Sequence, residues 1–364
     1  MELMKKTGKD HSFLKAMLQT PETAIEKLDL IYVNSDQLPI ERIKQNEQFQ
    51  YLLNGQQIQE GNRLQRIEQL VIPPAWEEVK IASLENAHLQ ATGKDLRKRK
   101  QYRYHPLWKQ VRNQTKFYKM SVFGQQLPKI RRRVAQDLEQ KGWPKTKVLA
   151  LVIRLMEDTH IRVGNEQYAK RNKTYGLSTL RSKHVTALQD KIRFEFVGKR
   201  GKKHRITVKN KQLVRLINRC EELPGWELFK FYDTDGKKKT IDSGMVNEYI
   251  HRISGILFTA KDFRTWAATV IFFERLMDMK SGKDKNKNML MAYDETAKAL
   301  GNTRNVCRKY YVHPLVPSFY ESGELEDYFK KVASDPEPTP ELSQTETVVL
   351  DMLEQFSPSF MEKL

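Results

Sequence analysis

Residues 306–314 read VCRKYYVHP, two tyrosines placed directly behind an arginine and a lysine. A phenol ionises near pH ~10 and is a poor nucleophile until nearby cations lower the cost of its anion. The same letters also suit a half-buried tyrosine beside ordinary surface charge. What Tyr310 and Tyr311 do therefore depends on what the rest of the chain brings to them.

Working outward, NMLMAYDETAKALG (288–301) reads as a helix closed by Gly301, and RTWAATVIFFERLMDM (264–279) reads as another. KVLALVIRLMEDTHIRVGNEQYAK (147–170) carries Leu149, Val152, Ile153 and Met156 on a helical period. IRFEF (192–196) and RITV (205–208) alternate on either side of VGKRGKKH, which predicts a β-hairpin with a glycine-rich, cationic tip. From 31 to about 84, strand-like LIYVN and VKIAS mix with a helical-looking PIERIKQNEQFQYLL. VIPPAW (71–76) is a rigid turn, because each proline fixes its own φ and restricts its predecessor.

The first 30 residues are polar and read as a helix or a loose arm. Residues 334–364 hold seven acids and one base. They read as a linker headed by DPEPTP and leading to a short amphipathic piece, Val349–Phe356. No internal repeat is evident. The expected architecture is α+β: an N-terminal arm (1–30), a small mixed N-terminal domain (31–110), a larger mostly helical domain with a β-hairpin (111–333), and an acidic C-terminal tail (334–364).

A chain of 364 residues is long enough for two domains. Lys and Arg number 64 against 45 Asp and Glu, a net charge of +19. That excess favours a polyanionic partner, nucleic acid first. A membrane is not expected, since no long apolar run occurs and mean hydropathy is −0.67. MELMKKTGKDHSF has no apolar core of a secretion signal. Cys220 and Cys307 are the only cysteines and form neither a disulfide framework nor a zinc pattern. A reducing, cytoplasmic location is the expectation, nucleoid-associated in a bacterium.

The charge is clustered. KDLRKRKQYRYHPLW (94–108) has six Lys or Arg in its first ten residues, interleaved with Tyr102, Tyr104 and Trp108. Cations neutralise phosphates, while flat rings and amides such as Gln101 pack on sugars and base edges. PKIRRRVAQDLEQKGWPKTK (128–147) is a second cluster that suits a charged helix face nearly as well. The hairpin tip, 198–205, has five Lys or Arg and no acid; it is either a solvated tip or one that reaches into a groove.

If Tyr311 attacks a DNA phosphodiester, the reaction needs donors for the extra negative charge on the non-bridging oxygens, an acid for the leaving 5′-oxygen, and in-line positioning. No carboxylate cluster with metal-ligand spacing is evident, so arginines must supply the first. Arg162 in THIRVGN and Arg264 in KDFRTW are lone arginines beside apolar residues at helix ends. Each alone also suits a buried salt bridge.

In order and approximate spacing, RVGN, YGLSTLRSKHV, FVGK, KDFRTW and LGNTRNVCRKYYVHP resemble the type IB DNA topoisomerases, in their poxvirus-like and bacterial branch. IPPAW and RKQYRYHP resemble that branch's N-terminal DNA-clamp segment. The likeness runs from about residue 71 to 316. It implies the catalytic fold that these enzymes share with tyrosine recombinases, and relaxation of supercoiled duplex DNA through a transient 3′-phosphotyrosyl link and strand rotation. It also implies no ATP, metal or other cofactor, and a monomer on double-stranded DNA. Residue by residue, Tyr311 matches the nucleophile that ends the five-residue run CRKYY. Arg162 and Arg264 match the catalytic arginines, and Lys199 in FVGK matches the hairpin general acid. Asn302 stands nine residues before the tyrosine, where the family often has a histidine; its amide N–H can make the same hydrogen bond without the charge. Gln101, Tyr102, Tyr104, Tyr168 and Lys261 match positions near the DNA. Tyrosine recombinases typically have a histidine three residues before the second arginine, where this chain has Lys261. A non-catalytic DNA- or RNA-binding protein would explain the charge but leaves the ordered set Arg162, Lys199, Arg264 and Tyr311 as coincidence.

Overall fold

The computed structural model describes residues 25–256, 258–279, 284–334 and 341–360, together with Ala16, Leu18 and Thr339. Most of the expected N-terminal arm, and most of DPEPTP, lie outside the described residues. The chain divides into two compact units, residues 1–116 with 357–364, and residues 117–356.

The first unit is built on a six-stranded antiparallel sheet. Its strands are β1 (Ile40–Gln45), β2 (Gln48–Leu53), β3 (Gln56–Gln57), β4 (Glu77–Ile81), β5 (Leu89–Lys94) and β6 (Lys100–Tyr104), in the order β3-β2-β1-β4-β5-β6. One helix, α1 (Gly61–Gln69), places Ile67 against Ile40, Val79, Ile81 and Ala91. The helical reading of PIERIKQNEQFQYLL is corrected here: the segment is the β1–β2 hairpin, with Gln45 opposite Gln48. Asn46 and Glu47 both take positive φ, 46° and 63°, the geometry of a tight two-residue hairpin turn. The strong helix formers in this stretch yield to cross-strand pairing, which tertiary context regularly enforces. LIYVN likewise forms no full strand; Ile31 makes a single bridge to Ala87. VIPPAW does turn, with Trp76 N–H donating to the Pro73 carbonyl at 3.1 Å. Arg42 holds it through the carbonyls of Pro73 and Trp76, at 3.1 and 2.7 Å.

The long helix α2 (Pro106–Glu139) crosses from one unit's residues into the other's. The second unit continues with α3 (Lys145–Thr159), α4 (Glu166–Asn172), the three-stranded sheet β7 (Val185–Leu188), β8 (Lys191–Val197) and β9 (Lys203–Val208), and α5 (Lys211–Glu221). A small hairpin, β10 (Lys230–Tyr232) and β11 (Lys238–Thr240), precedes α6 (Ser243–Ser254) and α7 (Ala260–Asp278). Then come α8 (Lys285–Leu300), α9 (Arg304–Tyr310), α10 (Leu315–Ser322), α11 (Leu325–Ser334) and α12 (Gln344–Leu353).

Helix α3 is the centre of this unit. Val148 to Ile153 are all buried, so its middle is enclosed on every side, while Arg154 and Asp158 in its last turns are exposed. The helical period of 147–170 does not run through. His160 closes α3 in the left-handed region (φ 52°), and Asn165 opens α4 by accepting the Gln167 N–H at 2.9 Å. The resulting loop, 160–165, carries Arg162. The β8–β9 hairpin forms as expected, gains β7 as a third strand, and has its cationic tip at Lys199–Gly201. α8 ends at Gly301 (φ 62°). The acidic tail is not a plain linker: α12 starts at Gln344, and its Val348, Val349, Met352 and Leu353 join the main core. Ser343 and Glu346 cap it reciprocally, at 3.1 and 3.0 Å.

Candidate active site

Arg264 sits in the second turn of α7 and is 4% exposed. Its Nη1 donates to the His160 carbonyl and its Nη2 to the Leu300 carbonyl at 2.9 Å, so the ends of α3 and α8 hold it from both sides. Among the described residues no carboxylate pairs with it. Burial, with Arg162 nearby, lowers its pKa to about 10. Its guanidinium carbon is 5.6 Å from the centre of the Tyr311 ring.

Tyr311 caps the C-terminus of α9, its N–H donating to the Cys307 carbonyl at 3.0 Å. Thr269, five residues beyond Arg264 on the same helix, donates to the Tyr311 carbonyl at 3.4 Å and accepts the His313 N–H at 3.0 Å. Nucleophile candidate and arginine are thus fixed to one helix. Burial pushes the Tyr311 phenol up, but Arg264, Arg162 and Lys261 outweigh it and leave the pKa below that of an ordinary tyrosine. Tyr310 points elsewhere: it is 44% exposed, with the Lys309 ammonium 5.5 Å from its ring centre.

Arg162 donates from Nη2 to the Asn302 side-chain oxygen. Because arginine has no acceptor, that contact fixes the amide's orientation and turns Asn302 Nδ2 the other way. Nδ2 and Arg264 Nε are buried and make no well-aligned hydrogen bond among the described residues, although the Cys307 thiol interacts with the Asn302 side chain and the Tyr311 phenol with the Arg264 guanidinium. Two buried donors without well-aligned acceptors, in a pocket of arginines, are what an anion's oxygens would satisfy. The Arg162 loop is set by close backbone packing: the Leu177 N–H donates to the Arg162 carbonyl at 2.9 Å, and a Cβ on Gly176 would strike that carbonyl.

Beside Arg162 opens a cavity of about 230 Å³, lined by Lys199, Lys202, His204, Lys298 and Gly301 among others, with no carboxylate. The structure therefore brings Tyr311, Arg264, Arg162 and Asn302 into one cluster, with Lys261 acting on its phenol and Lys199 sharing a cavity with Arg162. Lys199 itself is solvent-exposed at the hairpin tip. Tyr168, on α4, is 61% exposed, and no hydrogen bond or ring contact joins it to the cluster. Gln101, Tyr102 and Tyr104 belong to β6 of the first unit. Gln101 donates to Asp95 at 3.0 Å, and the two tyrosine rings stack 5.9 Å apart. Asp95, held to about pKa 2 by Arg99, also accepts the N–H groups of Arg97 and Arg99 and so orders the basic loop. The second cationic cluster is largely structural: Arg131 pairs with Glu157 and Glu346, and Arg133 with Asp137.

Sequence reasoning missed His160, Lys202 and His204. A left-handed cap and a lone histidine after a lysine pair carry little local signal. Among the described residues no group of three or more His, Cys, Asp or Glu could hold a metal ion, and no helix is long and apolar enough to cross a membrane.

The chain is similar to known proteins along most of its length. Residues 105–330 match the family model of the eukaryotic DNA topoisomerase I catalytic core, and residues 48–95 that of the bacterial DNA topoisomerase IB N-terminal domain. The DNA topoisomerase 1B of Acanthamoeba polyphaga mimivirus is 33% identical over 285 residues, 76% of this chain and 84% of that protein. The DNA topoisomerase 1B of vaccinia virus (strain Copenhagen) is 22% identical over 73% of this chain and 81% of its own length. The DNA topoisomerase 1 of rabbit fibroma virus is 26% identical over 67% and 76%. With its α+β architecture and its arginine–tyrosine cluster, the chain belongs to the type IB DNA topoisomerases and is an isomerase of that class.

Proposed function

We propose that the chain relaxes supercoiled duplex DNA by cutting and resealing one strand through Tyr311. The phenol oxygen attacks a backbone phosphorus, the P–O5′ bond breaks, and the phenol's proton passes to solvent. Arg162, Arg264 and Asn302 hydrogen-bond the non-bridging oxygens as negative charge builds on them. Lys199 gives a proton to the departing 5′-oxygen. The free 5′-end swivels under the duplex's own torsion and then attacks the phosphotyrosine to reseal the strand. The bond energy stays in the covalent link, so neither ATP nor a metal is needed.

The observation that carries this reading is Tyr311 beside buried Arg264, with the unsatisfied N–H groups of Arg264 and Asn302 in the same cluster. In this reading residues 31–110 add grip on the duplex through Gln101, Tyr102 and Tyr104, and residues 111–333 carry the chemistry. Tyr168 and Lys261 contact the backbone near the cut. In this reading the enzyme acts as a monomer on the duplex. The reading places the enzyme in the cytoplasm, on nucleoid DNA where the host is bacterial. The test is relaxation of supercoiled plasmid in excess EDTA without ATP. Wild type should relax it and leave a covalent 3′-adduct on denaturation. Activity lost on chelation and restored by Mg²⁺ would overturn the metal-free mechanism.

A further inference from the structure

His204 is the second residue of β9, directly across from Phe196 on β8. The two rings stack with centroids 5.0 Å apart and planes within 13°. Its imidazole fills a space that two glycines keep open. A Cβ on Gly198, the residue before Lys199, would lie 2.6 Å from His204 Nε2. A Cβ on Gly301, the residue before Asn302, would lie 2.5 Å from its Cε1. Carbon atoms do not approach nitrogen or carbon that closely without contact strain, so both positions accept only hydrogen. One flat ring thus touches the base of the hairpin tip on one side and the end of α8 on the other.

These two neighbours precede the hairpin cation and the amide that the proposed mechanism uses. The hairpin tip is otherwise lightly held: Lys199, Arg200, Lys202 and Lys203 are exposed, and Arg200 has positive φ. The Gly198 N–H donates to the Lys202 carbonyl at 2.7 Å, which closes the tip on itself, and the base of the tip is tied outside the hairpin where the Tyr175 N–H donates to the Val197 carbonyl at 2.8 Å. His204 is the side-chain link, beside that backbone tie, that packs the tip against the Gly301–Asn302 turn. Burial, with Arg162 and Lys202 close by, lowers its pKa to about 4, so the ring is neutral at physiological pH and adds no charge to the cavity. A neutral, flat spacer suits a pocket already crowded with cations.

We propose that His204 is a positioning residue for Lys199: its ring sets the hairpin tip against the Gly301–Asn302 turn, so that the lysine reaches the leaving 5′-oxygen. The inference rests on the reading of Lys199 as general acid given above. It requires the shape of the ring, not its proton.

The test uses full-length protein and single-turnover cleavage of a suicide duplex, with either oxygen or sulfur at the bridging 5′-position of the scissile phosphate. A thiolate leaves without a proton, the thiol pKa being about 8.5, so sulfur removes the need for Lys199. A misplaced acid costs on the order of 10²-fold in rate. His204→Ala should cleave the oxygen substrate ~10²-fold more slowly than wild type and the sulfur substrate at close to the wild-type rate. His204→Phe, which keeps a flat stacked ring, should stay within a few-fold of wild type on both. The double variant Lys199→Ala/His204→Ala should be no slower than Lys199→Ala alone, because two residues serving one step are not additive. Sulfur rescue in the same preparation also shows that the variant is folded. If Lys199→Ala is rescued by sulfur and His204→Ala is not, the positioning role is wrong while the general-acid reading stands. If His204→Phe is as slow as His204→Ala, ring shape is not what the site uses and the inference falls. If Lys199→Ala itself gains nothing from sulfur, the underlying reading of Lys199 fails, and the inference with it.

Discussion

The guanidinium carbon of Arg264 lies 5.6 Å from the centre of the Tyr311 ring, and among the described residues no carboxylate shares the arginine. An uncompensated buried cation beside a phenol acts on the phenol's ionisation. Burial alone would raise the Tyr311 pKa, but Arg264 and then Arg162 bring it below the ordinary value. The fraction of anion grows with pH, so single-turnover cleavage should rise with pH and level off below the ~10 of a free tyrosine. Arg264→Ala removes the largest lowering influence and leaves the burial. Its plateau should move to higher pH, and its rate should fall by about 10²–10³-fold, the worth of an oxyanion donor. A variant profile that levels off where wild type does would show that Arg264 does not tune the phenol.

The adjacent tyrosines should separate cleanly. Tyr311→Phe keeps the packing of a half-buried ring and loses only the hydroxyl, so it should bind duplex DNA with near-normal affinity and form no covalent adduct. Tyr310→Phe, at a solvent-exposed ring, should retain most relaxation activity. Adduct formation by Tyr311→Phe, seen as a labelled band after denaturation, would place the nucleophile elsewhere.

Asn302 offers a sharper test of how the cluster holds a phosphate. Its oxygen accepts from Arg162 and its Nδ2 is unsatisfied. Asn302→Ala should slow cleavage by about 10²-fold through loss of one donor. Asn302→Asp has nearly the same shape, but it replaces the free N–H with a carboxylate oxygen facing the phosphate. It should be slower than Asn302→Ala. Equal rates for the two would argue that Nδ2 does not face the reacting phosphate.

Much of this architecture was legible in the sequence, and the failures have physical causes. The β8–β9 hairpin, α7 and α8 follow from alternation, helical period and a capping glycine, all of which are local. The β1–β2 hairpin was not legible, because Ile40–Gln45 is rich in helix formers and its turn is Asn46–Glu47 rather than an asparagine–glycine pair. The catalytic candidates were legible only through the order of several motifs. The Arg162–Asn302 contact joins residues 140 positions apart, and no periodicity reports it. His204 was invisible for the same reason: its meaning lies in two glycines on different elements.

The stacked pair Tyr102 and Tyr104 tests the role of the first unit. Tyr102 is 45% exposed and lies beside the Lys100 ammonium, 5.9 Å from its ring centre. Tyr102→Ala should weaken duplex binding, by about 1–2 kcal/mol if the ring packs on the nucleic acid as aromatic platforms do. Cleavage at saturating enzyme should change little. A large loss at saturation, with binding intact, would instead make Tyr102 part of the reacting site.

The C-terminal segment lies beyond the matched catalytic core at 105–330. Glu346 on α12 takes both Nη atoms of Arg131 at 2.8 Å and the Trp266 Nε1–H at 2.9 Å. Trp266 is two residues from Arg264 on α7, so the tail braces the helix that carries Arg264. Arg131 also pairs with Glu157 at 2.8 Å. Removing one partner of a largely buried pair costs about 3–5 kcal/mol when the remaining charge is left unpaired; Arg131 keeps Glu157 here, so the low end, about 3 kcal/mol, applies. Glu346→Ala should therefore lower Tm by roughly 6–12 °C, taking 2–4 °C per kcal/mol for a unit of this size. Glu346→Gln keeps one oxygen, which can still accept from Trp266 Nε1 and Arg131 Nη2, and should lose less. Truncation after Ser334 should be worse than either, since it also uncovers the core face filled by Val348, Val349, Met352 and Leu353. A truncated protein that melts with wild type would mean that α12 adds no stability to the catalytic unit, and that the brace on α7 is incidental.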